Sequence, residues 1–289
     1  MLLPLHSQLS LTLIIFIFIS KLCFAVAQAP FLQRFHEQKL TAPKEIIKEG
    51  LLALKNTKDE ETRGKIAAIV ASNYFYTNDL HGMEAALKTL NKSAKKSKNT
   101  DLELTFYYLD SAMNRVIKNY KLSRKRINQA LANIKKTSST SLQGKIFYNA
   151  AALESDDPKG NTEKAIHYYH QIIALPFDNS GIPALKQRAH IRLAKCFYDK
   201  GNLVAAKQAI ETLENTPMLP RTECHFHLMS LKIHLQYPYL KAPEATLSKA
   251  NHLITTYQFD SDRARFNEIQ KNLHLRNKME TDRLTAKTS

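Results

Sequence analysis

Residues 187–217, QRAHIRLAKCFYDKGNLVAAKQAIETLENTP, constrain the fold more than any other stretch of this chain. Two amphipathic segments, with apolar residues three and four positions apart, flank a tight Asp-Lys-Gly-Asn turn at residues 199–202. Gly201 can take the left-handed conformation that ends a helix, and Asn202 can cap the helix that follows. The segment therefore predicts two antiparallel helices joined by a short turn.

Small residues stand where these two helices would touch. Ala194 and Ala206 allow a close approach, and Leu193, Phe197 and Ile210 fill the space around that contact. The pattern fits a unit that stacks on further units of the same kind. It also fits an ordinary hairpin in a globular helical bundle.

The spacing of these residues resembles the tetratricopeptide repeat (TPR), in which W-x2-L-G-x2-Y precedes A-x3-F and a proline. His190 stands at the Trp position, and Pro217 comes one residue early. The resemblance implies an all-α, right-handed superhelix, or solenoid, of antiparallel helical hairpins. It also implies that the first helix of each hairpin lines a concave groove in which ligands lie.

One hairpin cannot bury its own apolar faces, so a repeat requires relatives elsewhere in the chain. Ala165 follows Gly160 at the same interval at which Ala206 follows Gly201. Alanines stand at comparable points of four predicted second helices: Ala86, Ala165, Ala206 and Ala245. The last three are almost evenly spaced, and the first precedes them by nearly twice that interval. The missing member would fall near Arg126, where we find no small residue. We therefore predict a period of roughly 40 residues and about six hairpins.

Helical spacing of apolar residues continues along the rest of the chain, with almost no alternating strand pattern. The predicted helices cover roughly residues 36–55, 61–76, 82–97, 101–119, 122–136, 141–155, 162–174, 183–199, 203–214, 220–236, 243–256 and 260–276. No linker is long enough to suggest a second folded domain. We expect one repeat domain over residues 28–276 and a polar, disordered tail at 277–289.

An apolar run near the start, LSLTLIIFIFIS, is followed by Ala25-Val26-Ala27, the small-x-small pattern that precedes signal-peptidase cleavage. This predicts a signal peptide at residues 1–27 and export to the periplasm of a Gram-negative bacterium or beyond. An uncleaved anchor over residues 9–27 is the alternative, because a run of that length can just span a bilayer. Lys21 makes that span costly.

The formal net charge is +16, and removal of the leader lowers it by only one. Strongly basic proteins attract polyanions. The densest cationic stretch supplies the candidate polyanion-binding residues: Arg115, Lys118, Lys121, Arg124, Lys125 and Arg126. Export argues against nucleic acid and leaves anionic lipid headgroups, acidic envelope polymers or an acidic protein. The alternative is a solvated, lysine-rich outer face.

Motifs that carry chemistry are absent from the sequence. The seven glycines form neither a phosphate-binding nor a dinucleotide-binding loop, and there is no Gly-x-Ser-x-Gly or His-Glu-x-x-His motif. The neighbouring residues at 224–227 and at 167–170 include histidines but lack the further ligands of a zinc site. We therefore expect no catalytic residue, no cofactor and no metal.

The mature chain would keep Cys196 and Cys224, which the repeat arrangement places on neighbouring first helices. An exported protein could oxidise them to a disulfide. A buried free thiol explains Cys196 equally well, because it lies on the apolar stripe beside Phe197.

The TPR resemblance implies a non-catalytic scaffold that binds a protein or peptide in the groove. Four residues on one face of the helix before Gly201 are the implied groove residues: Arg188, Ile191, Lys195 and Tyr198. Two cations beside a tyrosine suit an acidic or carboxylate-bearing peptide. Membrane contact is expected only if the leader stays uncleaved. The alternative function is a sensory module that acts with a separate membrane signalling protein.

Overall fold

The computed structural model describes residues 43–176, 182–236, 244–257 and 259–288, and throughout these ranges the regular structure is helical. Twelve α-helices follow one another: α1 (Pro43–Asn56), α2 (Glu60–Thr77), α3 (Leu80–Ser97), α4 (Thr100–Val116), α5 (Tyr120–Asn133), α6 (Thr140–Asp156), α7 (Thr162–Ala174), α8 (Ile182–Asp199), α9 (Leu203–Glu211), α10 (Pro220–Leu235), α11 (Glu244–Thr256) and α12 (Asp260–Thr288). The predicted all-α fold class is confirmed. None of the described helices is long and apolar enough to span a bilayer. The predicted leader lies outside the described residues.

The chain divides into two compact units, residues 1–109 and 110–289, with the boundary inside α4. In the first unit α1 packs on α2, and α2 pairs with α3. Buried apolar side chains of α2 and α3 form the centre of this pairing: Ile66, Val70, Met83, Leu87 and Leu90. The sequence predicts a single repeat domain over residues 28–276.

In the second unit each helix pair contacts the next pair. α6 pairs with α7, α8 with α9, and α10 with α11. The first helices also contact one another in succession, α6 with α8, α8 with α10 and α10 with α12. The first helices therefore lie side by side in this unit.

The predicted period is visible in the positions where helices begin. First helices begin at residues 60, 100, 140, 182, 220 and 260, and second helices begin at 80, 120, 162, 203 and 244. Within the described residues this gives five helix-turn-helix pairs, flanked by α1 before them and α12 after them. About six hairpins were expected for the chain as a whole.

A side-chain cap begins four of the second helices in the same way. In each case an Asp or Asn oxygen accepts a hydrogen bond from the backbone N–H three residues later. These capping residues are Asp79, Asn119, Asn161 and Asn202. Four residues after each cap stands a side chain with no exposed surface: Met83, Ser123, Ala165 and Ala206. The repeated contact between helices therefore sits at this position.

Ser123 is the small residue that the sequence pattern missed near Arg126. Its hydroxyl donates to the Ser111 carbonyl at 2.9 Å, and the Ser111 hydroxyl donates to the Ser123 carbonyl at 3.0 Å. The prediction that Ala86 and Ala245 stand at positions equivalent to Ala165 and Ala206 was wrong. Ala86 lies three residues beyond the equivalent position, and Ala245 is exposed.

The residues predicted to pack the repeat are buried in one core of the second unit, with Phe197 partly buried against it. The fully or nearly fully buried ones are Ala165, Leu193, Ala194, Ala206 and Ile210. Gly201 has the predicted left-handed backbone, with φ of 76°. Gly160 does not share this conformation, and its turn is not equivalent. It is needed for another reason, because a Cβ there would lie 2.1 Å from the Glu154 carbonyl oxygen.

The last helix, α12, extends through the segment that we expected to be a disordered tail. Residues 277–288 continue the helix that begins at Asp260. The segment contains no proline or glycine, and half of its residues are Lys, Arg, Glu, Met or Leu. These residues favour helix even where they are exposed, which explains the difference.

The two glycines give a first test of the turns. Gly201→Ala should lower the free energy of unfolding by about 1–2 kcal/mol, because an L-residue is strained at positive φ although no atom lies within 4 Å of the new Cβ. Gly160→Ala should lower it by more, because the new Cβ would meet the Glu154 backbone. Urea unfolding followed by circular dichroism measures both. A larger loss for Gly201→Ala would contradict the assignment of the two turns.

Candidate binding face

The four predicted groove residues all lie on α8, but they do not share one environment. Arg188, Lys195 and Tyr198 are partly exposed. Ile191 is only 7% exposed and belongs to the core. Because α8 packs against helices on several sides, its exposed stripe is narrower than the sequence suggested. Ile191 is therefore a packing residue and not a contact residue for a partner.

Arg188 and the next arginine along α8 both approach Tyr148 of α6. The Arg188 guanidinium carbon lies 5.4 Å from the centroid of the Tyr148 ring, within the range of a cation–π interaction. Arg192, one turn later, lies beside the Tyr148 hydroxyl. The sequence analysis did not identify either Tyr148 or Arg192.

The electrostatics of Tyr148 reflect these neighbours. Burial by itself raises the pKa of a tyrosine, because it disfavours the phenolate. Here the positive charges of Arg192, Arg188 and Arg115 outweigh burial and hold the pKa of Tyr148 below its ordinary value of 10.0. The interaction with Tyr148 in turn raises the pKa of Arg192.

A second aromatic contact lies further along α8, at Tyr198. Lys232 of α10 places its Nζ 4.7 Å from the centroid of the Tyr198 ring. Gln236 donates a hydrogen bond to the Tyr198 hydroxyl at 2.9 Å. Lys195 forms an ion pair with Asp199 on its own helix. Tyr198 is therefore held by the neighbouring pair and is not a freely rotating side chain.

These residues belong to a strongly positive surface, which we call the cationic face. It comprises Arg115, Arg188, Arg192, Lys195, Lys232 and Arg265. Asp156 pairs with Arg115, and Asp199 pairs with Lys195. Within the described part of the chain, no carboxylate forms an ion pair with the other four cations. The face therefore carries an excess of positive charge, which Asp156, Asp199 and Asp262 offset only in part.

Arg265 of α12 adds to this charge. Burial lowers its pKa, and repulsion by Arg192 lowers it further. Asp262 and Asp199 offset part of this shift, but within the described residues neither forms an ion pair with Arg265. Arg265 therefore differs from the arginines of this unit that form ion pairs.

The predicted polyanion-binding residues are divided by the structure into two groups. The three arginines form ion pairs with carboxylates from other helices: Arg115 with Asp156, Arg124 with Glu154 and Asp157, and Arg126 with Asp110. Three lysines of the set are exposed, namely Lys118, Lys121 and Lys125. The fold therefore brings acidic residues next to the three arginines of this stretch, while the three lysines remain exposed.

Arg124 shows how these pairs hold two hairpins together. Its Nη2 lies 2.9 Å from Asp157, and Glu154 accepts a further hydrogen bond from its Nη1. Pairing with Glu154 and then Asp157 raises the pKa of Arg124. The hydrogen bond from Arg124 lowers the pKa of Asp157. Arg124 is thus a structural cation between α5 and the α6–α7 turn.

Two of the exposed lysines line an open cleft of about 500 Å³ at the edge formed by the helix turns. Its walls are residues 118–121, residues 157–159 and Arg124. Lys159 joins Lys118 and Lys121 there, although it belongs to a different turn of the chain. Three of the predicted polyanion-binding residues, Lys118, Lys121 and Arg124, therefore line this cleft.

The histidines and cysteines do not form a ligand set. Among the described residues no group of three or more His, Cys, Asp or Glu could hold a metal ion. Cys196 and Cys224 are free and buried, so the alternative of a buried thiol is the one that the structure supports. Burial raises the pKa of both thiols, that of Cys224 to about 12. Neither thiol is activated as a nucleophile.

Comparisons with known proteins add no family to this description. No protein-family model, curated protein or solved structure matches the chain. Fold and site therefore define the protein only as an all-α chain of stacked helix pairs whose second unit carries a cationic face.

The structural role of Arg124 can be tested by comparing substitutions of Arg124 and of the exposed Lys125. Arg124→Gln should lower the free energy of unfolding by about 1–3 kcal/mol, because Glu154 and Asp157 would lose their charged partner while partly buried. Lys125→Gln, at an exposed position, should change it by less than about 0.5 kcal/mol. Chemical denaturation of both variants makes the comparison. Equal effects would show that Arg124 is an ordinary surface cation.

Buried His227 predicts a dependence of stability on pH. Burial lowers its pKa below 6.5, so the unfolded chain binds the proton more readily than the folded chain does. Stability supplied by neutral His227 is present above pH 6.5 and is lost as the pH falls through the folded-state value. The urea concentration at the midpoint of unfolding should fall between pH 7.5 and pH 5. This decrease should be smaller in His227→Gln than in the parent protein. His167→Gln, at an exposed position, should leave that decrease as it is in the parent protein.

Proposed function

We propose that this protein is a non-catalytic, exported scaffold of the TPR-like, right-handed superhelical type, which binds an acidic peptide or protein segment along the cationic face. The observation that carries the proposal is the excess positive charge of that face. Arg188, Arg192 and Lys232 form no ion pair with a carboxylate within the described residues, and they lie beside the rings of Tyr148 and Tyr198.

The packing of the helix pairs supports a groove as the form of the site. First helices that lie side by side present their outward stripes to the same solvent space. Stacked hairpins that turn slightly relative to one another make this surface concave and long enough for an extended segment. The cations then line the floor of the groove, and the tyrosines provide apolar surface between them.

The spacing of charges on α8 fits an extended acidic ligand. Arg188 and Lys195 are two helical turns apart, which places them about 10 Å from each other along the helix axis. In an extended peptide this distance corresponds to about three residues. Because side chains alternate between the two faces of an extended chain, carboxylates at positions i and i+2 or i and i+4 of the ligand lie on one face, where the long side chains of both cations could reach them.

The predicted signal peptide directs the proposal to the bacterial envelope. A partner there would meet the folded protein outside the cytoplasm, away from nucleic acid. Acidic envelope polymers and lipid headgroups share the negative charge of an acidic peptide. They differ from it in offering no defined spacing of carboxylates and no side chains for Tyr148 and Tyr198.

A charge reversal on α8 tests the proposal. The double variant Arg188→Glu/Lys195→Glu should lose partner capture in a crosslinking pulldown from the envelope, because both cations would repel an acidic ligand. The matched control is Lys164→Glu/Lys249→Glu, which makes the same charge change at exposed positions of second helices. Circular dichroism confirms that both variants fold.

Capture that is unchanged in the α8 variant would exclude the proposed groove. Equal loss in both double variants would mean that net charge alone attracts the partner. Cell fractionation, with the mass of the mature chain, shows in the same samples whether the leader has been removed before Gln28.

A further inference from the structure

The surroundings of Tyr148 contain hydrogen-bond donors that lack good acceptors. Tyr169 of α7 is fully buried, with its ring centroid 6.0 Å from that of Tyr148. Its hydroxyl has no hydrogen-bond partner in good geometry, although Ser155 lies near it. The Nε of Arg115 is also buried without a partner. Buried donors without acceptors are costly to a fold and call for an explanation.

The charged groups around Tyr148 are mostly positive. Arg115, Arg188 and Arg192 all act on the Tyr148 phenol. The carboxylate close to them is Asp156, which already accepts a hydrogen bond from Arg115 Nη1. Three guanidinium groups and one carboxylate leave a local charge of about +2. The cluster is therefore rich in donors and poor in acceptors.

We propose that Arg115, Tyr148, Tyr169, Arg188 and Arg192 form a pocket for a phosphate dianion, which we call the oxyanion site. A phosphate or phosphate monoester carries about two negative charges at neutral pH and has three or more acceptor oxygens. The planar guanidinium groups of Arg188 and Arg192 can each donate two parallel hydrogen bonds to such oxygens. The Tyr148 hydroxyl, beside Arg192, can supply a further donor.

The inference rests on the proposed function, because the ligand would enter from the cationic face. It makes that function more specific, since it names the chemical group that anchors the ligand. The two proposals can fail separately. Substitutions of Arg192 and Tyr148 test the oxyanion site. Substitution of Lys195 tests only the groove, because Lys195 is not part of the oxyanion site.

Tyr148 provides a direct readout of the pocket. The arginines lower the pKa of its phenol, so a dianion that neutralises them should raise this pKa. Inorganic phosphate is mainly the dianion at the alkaline pH where tyrosines begin to titrate, because its second proton dissociates near neutral pH. The chain contains 12 tyrosines, so the Tyr148 signal is obtained as the difference between the parent protein and Tyr148→Phe.

The experiment is an ultraviolet titration of tyrosinate in the full chain, with inorganic phosphate or with acetate at the same ionic strength. Phosphate should move the Tyr148 titration to higher pH, and acetate should move it less. The shift should be absent in Tyr148→Phe and strongly reduced in Arg192→Gln. Arg192→Lys should recover part of it, because the charge returns without the planar donor pair. Lys164→Gln, on an exposed face of α7, should behave like the parent.

Calorimetry measures the affinity for the same ligands. Arg192→Gln should weaken phosphate binding at least about tenfold, the usual effect of removing one charged hydrogen bond. Tighter binding of glycerol phosphate than of inorganic phosphate would assign the site to a phosphoryl group on a partner, and the reverse order would assign it to the free ion.

Three results of the tyrosine titration would overturn the oxyanion site. These are no effect of phosphate, an effect of phosphate that persists in Arg192→Gln, and an effect of acetate equal to that of phosphate.

Discussion

The fold depends on one close contact, which recurs from helix pair to helix pair. An Asp or Asn cap fixes the start of the second helix, and the residue four positions later is completely buried. At Ala165 and Ala206 the absence of a long side chain permits the helices to approach. At Ser123 paired hydroxyls replace the apolar contact. Because the contact recurs at a regular interval, successive first helices are placed side by side, and their outward residues form one surface.

Helices and their period could be predicted because both are local properties of the sequence. Apolar spacing locates a helix, and turn residues separate it from the next. The position of the contact was harder to predict, because we aligned the repeats on glycines and alanines. Gly160 and Gly201 serve different purposes, and Ser123 is not an alanine. The capping residues Asn119 and Asn161 would have given the correct alignment, because a cap marks the helix start whatever residue makes the contact.

The candidate site was less predictable, because it depends on contacts between distant parts of the sequence. Arg188 and Lys195 were found from their spacing on one helix, but the same reasoning included Ile191, which packing on neighbouring helices buries. Tyr148 lies two helices before Arg188, and nothing in the sequence near either residue indicates their contact. The same limitation applies to the ion pairs of the basic stretch. Its arginines meet acidic residues that the sequence places 16 to 41 positions away.

The contrast between the two sets of arginines supports the proposed binding site. Arg124 and Arg126 have carboxylate partners, as expected of cations that serve stability alone. Arg188 and Arg192 lie beside Tyr148 instead, and Asp156 acts on Arg192 without forming an ion pair with it. A buried or half-buried cation without a counter-ion destabilises the fold, and such perturbed groups concentrate where a ligand supplies the missing charge. A stack of helix pairs does not itself require arginines beside Tyr148, since apolar side chains would pack there at lower cost. Their presence is therefore better explained by an anionic ligand than by the architecture.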